Sequence, residues 1–253
     1  TWRQKLLALI CGGESLRRFF AQKADIPVMK LTGDERRHLA EVLRSRVGDR
    51  VIICPNDGKD YIYEITAFDK TAVTLDFVEC VPNPTEPDLF LCAYIALLKG
   101  DKTELEVQKL TELGARRIVP FTSDRTVKGS EKSERLRRAA HEASKQCGRA
   151  IIPEVSEVKT FSDVISELGG YDSAVFAYEG AYGSGKRIGD VINGTEKRVA
   201  LVIGPEGGFS EEEVNAAEKA GYEGVTLGKR ILRAETAAIA GAAVIMQLCG
   251  EWK

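Results

Sequence analysis

Leu201-Val202-Ile203-Gly204-Pro205-Glu206-Gly207-Gly208-Phe209-Ser210 is the stretch whose reading decides the fold. The apolar run, led in by Val199 and Ala200, reads as a buried strand that Gly204-Pro205 terminates. Gly207 and Gly208 let the backbone turn tightly and approach a ligand with no side chain between them. Ser210, with Glu213 three residues on, forms a capping box, so a helix starts there and turns Val214 and Ala217 inward. Strand, glycine turn and helix N-terminus together leave unpaired N–H groups at the end of a sheet, where open α/β folds bind ligands. Taken alone, the same residues also read as an ordinary strand-to-helix turn.

A second glycine turn favours the ligand site. Leu227-Gly228-Lys229-Arg230-Ile231-Leu232-Arg233-Ala234-Glu235-Thr236-Ala237 leads into a helix over 238–248 that is rich in Ala and apolar nearly all round. A helix without a polar face must be covered on all sides, by the core or by a second subunit. Two turns that each follow a strand and open a helix can face each other at one sheet edge and form a pocket from backbone.

The 253 residues suffice for one large domain plus a small one. A formal net charge of -2 advertises no global basic field, so contact with nucleic acid must come from local clusters. The six cysteines are scattered without a C-x-x-C pair, and there are only two histidines. That pattern predicts reduced thiols and no metal site. No apolar run approaches membrane-spanning length, and the expected location is the cytoplasm.

Residues 1–16 are expected to be an extension outside the fold. Residues 17–80 read as a small β-barrel module. Thr32 and Glu35 suggest a cap for a short helix, Val51-Ile52-Ile53-Cys54 a strand, Asp57-Gly58 a hairpin turn, and 61–66 and 73–78 further strands. Pro82, Pro84 and Pro87 make 81–88 a stiff linker and the expected domain boundary. Over 89–253 strands and helices alternate: strands at 89–96, 117–121, 173–178, 199–203 and 224–227, and a helix at 133–147. Thr103 and Glu106 read as a capping box for a helix carrying Val107, Leu110 and Leu113 that Gly114 closes. This alternation predicts a largely parallel sheet.

Two further motifs carry alternatives. Gly180-Ala181-Tyr182-Gly183-Ser184-Gly185-Lys186-Arg187 nearly matches a P-loop, but Arg187 stands where the Mg²⁺-binding hydroxyl belongs. The bland reading is a flexible loop. Between Arg125 and Arg149 basic residues crowd the chain, and Arg135, Arg138, Glu142, Lys145 and Arg149 recur at helical spacing on one face. A solvated face is the default. The concentration of arginine, which forks onto phosphate, tilts the reading toward RNA.

Gly204-Pro205-Glu206-Gly207-Gly208-Phe209 followed by the 227–237 stretch resembles the RsmE family of ribosomal RNA methyltransferases, of the SPOUT class. The upstream matches are Arg17-Arg18-Phe19-Phe20, His38-Leu39 with Val42-Leu43-Arg44, Gly48-Asp49, Lys109 with Glu112-Leu113-Gly114, and Glu142-Ala143 with Gln146 and Arg149-Ala150. The likeness runs from about Arg17 to Cys249 and departs mainly in the leading segment and in the 180–185 loop.

The resemblance implies a PUA-like β-barrel joined to an α/β domain whose C-terminal chain forms a trefoil knot. It implies a homodimer, here through the C-terminal helix, and transfer of a methyl group from S-adenosylmethionine to N3 of a uridine in 16S rRNA of the small ribosomal subunit. Together with the pocket reading it assigns the cofactor to Tyr178, Glu179, Ile203, Gly204, Pro205, Glu206, Gly207, Gly208, Leu227, Gly228, Ile231, Leu232, Arg233, Glu235, Thr236 and Ala237. Arg149 and Arg233 are candidates to stabilise charge on the uracil oxygens. Glu206 and Glu235 are candidate bases. RNA contact is expected from Arg17, Arg18, Arg36, Arg37, Arg44, Arg125, Arg138, Lys145 and Arg149. Two other readings stand beside the methyltransferase: an RNA-binding protein of the same fold without turnover, and a P-loop nucleotide enzyme centred on Lys186.

Overall fold

The computed structural model describes residues 16–126, 133–181 and 186–252. The leading extension, Lys128, Lys132 and the centre of the P-loop-like motif lie outside the described residues. The described residues form two units, one running to Glu86 and including Gly148–Ile151, the other holding the rest from Pro87 onward.

The first unit is a five-stranded sheet of β1 (Arg17–Phe20), β2 (Val28–Thr32), β3 (Arg50–Cys54), β4 (Lys59–Phe68) and β5 (Ala72–Pro82), in the order β1-β3-β4-β5-β2. β1 runs parallel to β3 and the other pairs are antiparallel. Register shifts at Ile62/Tyr63 and Ile65/Ala67 mark irregularities that bend a sheet around its core. That core is Phe19, Leu31, Leu39, Ile53, Tyr63, Ile65, Val73 and Leu75. α1 (Gly33–Arg37) starts where Thr32 predicts, but the Thr32 side chain makes no cap bond. A π-helical turn, His38–Val42, continues it and buries Leu39.

The division between the units falls at Glu86/Pro87, inside the proline-rich 81–88 stretch, though part of that stretch is ordered as strand. β5 continues through Pro82, and Asn83 binds the next residues by accepting from the Thr85 N–H at 2.8 Å. Residues 148–151, expected in the second domain, cluster with the first for two reasons. Glu86 Oε1 accepts from the Ala150 and Ile151 N–H groups, both at 2.8 Å, and Ala150 packs with Ile52, Cys54, Ile62 and Val81.

The second unit holds one parallel sheet of β6 (Phe90–Ala96), β7 (Arg117–Thr122), β8 (Glu154–Val155), β10 (Ser173–Ala177), β11 (Lys186–Arg187), β12 (Arg198–Ile203) and β13 (Gly224–Thr226). Their order is β11-β13-β10-β12-β6-β7-β8, and β9 (Lys159–Thr160) also pairs with β7. Helices are α2 (Lys102–Glu112), α3 (Ser133–Cys147), α4 (Phe161–Glu167), α5 (Ile188–Val191), α6 (Glu211–Lys219) and α7 (Ala234–Leu248). Apolar residues of α2, α3, α5 and α7 share one core with Leu91, Ala93, Ile95 and Leu201. Phe161, Val164, Val214 and Ala217 of α4 and α6 pack on Cys92, Tyr94 and Val202 of the other face. Both faces of the sheet are therefore covered, which is why its strands are apolar throughout rather than alternating.

Helix ends follow the sequence in part. Ser210 caps α6 as expected: its side chain accepts from the Glu213 N–H while Glu213 accepts from the Ser210 N–H. Gly114, at φ +95°, closes α2. The capping box read at Thr103 and Glu106 is corrected. α2 starts two residues earlier than that cap implies, at Lys102 after Asp101, and the Thr103 hydroxyl accepts from the Leu98 N–H at 3.0 Å, which leaves Glu106 with no capping role. α7 begins at Ala234, four residues before the apolar run at 238. Its own chain leaves Val244 and Leu248 exposed, so the core alone does not cover it.

Candidate functional site

Four connections leave the carboxyl ends of adjacent strands and meet around one cavity of about 760 Å³. They follow β10 (Ala177, Tyr178, Glu179), β12 (Ile203 to Phe209), β13 (Thr226 to Ala237) and β6 (Lys102). The strand order β13-β10-β12-β6 makes these ends neighbours, so the pocket is set by topology before any side chain is considered. Its volume lies in the range of small-molecule sites.

The turn after β12 is built to hold its shape. Gly208 N–H donates to the Pro205 carbonyl at 2.9 Å, and Gly208 sits at φ +69°, a conformation that favours glycine. A Cβ at Gly204 would lie 2.9 Å from the Phe209 ring, and one at Gly208 would overlap Glu179 Oε1. Phe209 anchors the turn, with its ring centroid 4.6 Å from Phe176 and 5.5 Å from Phe161. The segment after β7 clamps the turn from outside. Arg125 donates to the Gly207 carbonyl at 3.0 Å, the Ser210 hydroxyl reaches Asp124 at 2.7 Å, and the Asp124 N–H donates to Glu213 Oε1.

The turn after β13 is looser. The Thr226 hydroxyl engages the N–H and the carbonyl of Gly228, and beyond it Lys229, Arg230 and Ile231 are exposed. Arg233 precedes α7 without a side-chain cap, so the first-turn N–H groups are available to a ligand. Of the residues expected to hold a cofactor, all but Gly207, Glu235 and Thr236 line the cavity. Gly207 stands in the same turn, and Glu235 and Thr236 in the first turn of α7, between lining residues Ala234 and Ala237.

Glu206 is tied to the pocket wall, its Oε1 accepting from Lys102 Nζ at 3.1 Å and from the Lys99 N–H at 3.2 Å. Burial pushes its carboxyl up, but those hydrogen bonds and the Lys102 charge outweigh it and hold the group below the usual range. An anion so stabilised is a weak proton acceptor. Arg233 is exposed on the pocket lining.

Arg149 is corrected. Its side chain is 2% exposed, and its guanidinium meets Glu86 at 3.1 Å within the first unit, so it has no free face to offer a base or a phosphate. Arg18 is corrected for the same reason, being held by both oxygens of Asp60 and by Cys54. Arg125 is committed to the glycine turn. On α3, Arg138 reaches Glu134 and Lys145 reaches Glu142, so both belong to charge-balanced faces. Arg36 binds the Asp69 carbonyl and Arg37 binds Asp34, while Arg17 and Arg44 are exposed.

The P-loop reading loses its anchor. Lys186 lies on a two-residue strand and pairs with Glu223 at 3.0 Å, and Arg187 turns to Asp190. No group of three His, Cys, Asp or Glu side chains fit to hold a metal occurs among the described residues. Among them, no helix is long and apolar enough to cross a membrane. Sequence reasoning missed Phe209 as the turn's anchor, Lys102 as a lining residue and Asp124 as a clamp. Only the aromatic at Phe209, directly after the glycines, gave a signal.

Comparison with known proteins agrees with this geometry. Residues 85–246 match a family profile described as RNA methyltransferase domain, and residues 31–78 one described as RNA methyltransferase PUA domain. Ribosomal RNA small subunit methyltransferase E of Bacillus subtilis is 34% identical over 228 residues, 85% of this chain and 88% of that protein. Its counterpart from Synechocystis is 31% identical, over 82% of this chain and 69% of that protein. The crystal structure of ribosomal RNA small subunit methyltransferase E from Neisseria gonorrhoeae, bound to S-adenosyl methionine, superposes with a TM-score of 0.83 at 26% identity, covering 94% of this chain and all of that one.

Proposed function

The chain belongs to the ribosomal RNA small subunit methyltransferase E family, and from that premise we propose that it methylates N3 of a uridine in 16S rRNA with S-adenosylmethionine as donor. One observation carries the cofactor's place: glycine turns after β12 and β13, on either side of β10, line one cavity, and a Cβ at Gly204 or Gly208 would collide with Phe209 or Glu179 of its wall. The residues fit the cofactor. Backbone of 203–208 and 227–232 would hold its adenosine, with Tyr178 and Glu179 beside it, and carboxylates at Glu206 and Glu235 suit its cationic end. When bound, the cofactor supplies an electrophilic methyl group.

The chain's own part is to position and to stabilise. Holding the uracil nitrogen in line with the methyl group supplies much of the rate. N3 of uracil must lose its proton, and negative charge then spreads to the ring oxygens. Arg233, on the rim, is placed to neutralise that charge. Glu206 fixes Lys102 and the wall rather than taking the proton. Dimerisation is part of the same proposal. Val244 and Leu248 on α7 are exposed at 43% and 40%, and Trp252 just beyond at 46%, which leaves an apolar stripe for a second copy. So is the C-terminal knot. Its support is that α7 packs on β6 and β12, while Glu251 beyond it accepts from the Leu89 N–H at the start of the sheet. The first unit is assigned to RNA, through Arg17 and Arg44, and the enzyme to the cytoplasm.

Transfer of labelled methyl to unmodified small subunits, followed by nucleoside mass spectrometry, is expected to yield 3-methyluridine. Label in any other nucleoside, or none, contradicts the assignment.

A further inference from the structure

Lys102 lines the pocket, and Glu106 stands four residues on, on the same face of α2 and one helical turn deeper. Glu106 is 0% exposed, and neither of its carboxyl oxygens has a hydrogen-bond partner among the described residues. From α7, which packs against α2, Glu235 brings a second buried oxygen, Oε2, that also lacks a partner. Glu235 and, at the pocket wall, Glu206 both act on the Glu106 carboxyl.

Such an arrangement costs stability unless something answers it. Burial drives the Glu106 carboxyl well above the usual range, Glu235 and Glu206 push it the same way, and Lys102 opposes them. Among the described residues, the charges acting on it are those of Glu235, Glu206 and Lys102 alone. Arg135 of α3 is turned to Asp101 and Glu104, and β6 presents Leu91, Ala93 and Ile95 to this core. Burial and the neighbouring carboxylates thus favour the protonated form of this group. A cation arriving in the pocket reverses the balance, because it favours the ionised form of every carboxyl nearby.

We propose that Glu106 is a charge-responsive residue behind the cofactor pocket, ionising when a cationic sulfonium cofactor binds and staying neutral when the uncharged thioether product is bound. The inference rests on the cofactor reading above. The carboxyl O–H bond breaks, the electron pair stays on Glu106, and the proton passes to buffer. Two consequences follow for the cycle. The pocket favours the charged donor over the spent product, which assists exchange after transfer. Donor affinity also rises with pH toward the range where Glu106 titrates in the free protein, whereas product affinity stays level.

Calorimetry of the full chain tests this with S-adenosylmethionine and S-adenosylhomocysteine, each in phosphate and in Tris at one pH. The dependence of heat on the buffer's ionisation enthalpy counts protons released. The expected result is release with S-adenosylmethionine and none with S-adenosylhomocysteine, a contrast that needs no variant. Glu106→Gln is expected to abolish the release and to lower the donor-to-product affinity ratio several-fold. Equal release with both ligands, or release that persists in Glu106→Gln, overturns the inference while leaving the cofactor reading intact. No binding of either ligand overturns the cofactor reading, and this inference with it.

Discussion

The two walls of the pocket are made from the same ingredients, glycine and backbone, and behave as opposites. The 204–210 wall is fastened by Phe209 in an aromatic cluster, by the Ser210–Glu213 capping box and by Asp124 and Arg125 from outside. The 227–233 wall hangs on one threonine hydroxyl and carries Ile231 at 85% exposure. Their difference teaches that one wall is held in place by the chain's own packing, while the other is left exposed and is the one the proposed cofactor or second copy would cover. Preorganising one wall lowers the ordering cost of binding, and leaving the other open lets substrate in and product out.

The sharpest way to break this contrast is Gly208→Val in the fixed wall. A β-branched side chain at φ +69° against Glu179 is strained by about 1–3 kcal/mol. Calorimetry is expected to show cofactor binding weakened more than tenfold, and a thermal melt a clear loss of stability. Ile231→Ser in the open wall is expected to change stability by less than about 0.5 kcal/mol, as an exposed position should. Yet it is expected to weaken cofactor binding or dimerisation several-fold, as the proposed covering of this turn requires. An unchanged affinity and an unchanged sedimentation profile would show that nothing covers it.

Ser210→Ala is expected to cost about 1 kcal/mol through the lost cap, read as a lower denaturation midpoint. Its effect on affinity should be smaller than that of Gly208→Val, since Asp124 still reaches Glu213. Glu106→Gln sharpens the comparison by pH. Folded Glu106 keeps its proton to higher pH than the unfolded chain's carboxyl does, so between those two values the folded state binds more protons. Its contribution to stability is then full below the ordinary carboxyl range and declines as pH rises. Replacing it should flatten that decline, seen as a smaller difference between urea midpoints measured at about pH 6 and about pH 9.

What the sequence made legible was whatever depends on local chemistry. Ser210 and Glu213 announced a helix start because the reciprocal cap needs only three residues' spacing, and the glycines at 204–208 announced a turn. The alternation of apolar runs over residues 89–253 gave the parallel sheet for the same reason. Thr103 and Glu106 show the limit. Their spacing copies a capping box, but the hydroxyl is taken by the Leu98 N–H, five positions before it and away from Glu106, and the Glu106 carboxyl is buried on a helix against which α7 packs. Arg149 and Arg18 failed likewise. An arginine's partner is set by tertiary structure, and Glu86 and Asp60 stand 63 and 42 residues away. The pocket's outer clamp was invisible because Asp124 meets Ser210 across 86 residues.

The most direct measurement is a structure of this chain with S-adenosylmethionine bound. The adenosyl group is expected between residues 203–208 and 227–232, with the 204–208 backbone unmoved and the 227–233 turn drawn in over it. A cofactor bound outside those turns, or a 204–208 turn that must unfold to admit it, would contradict the account.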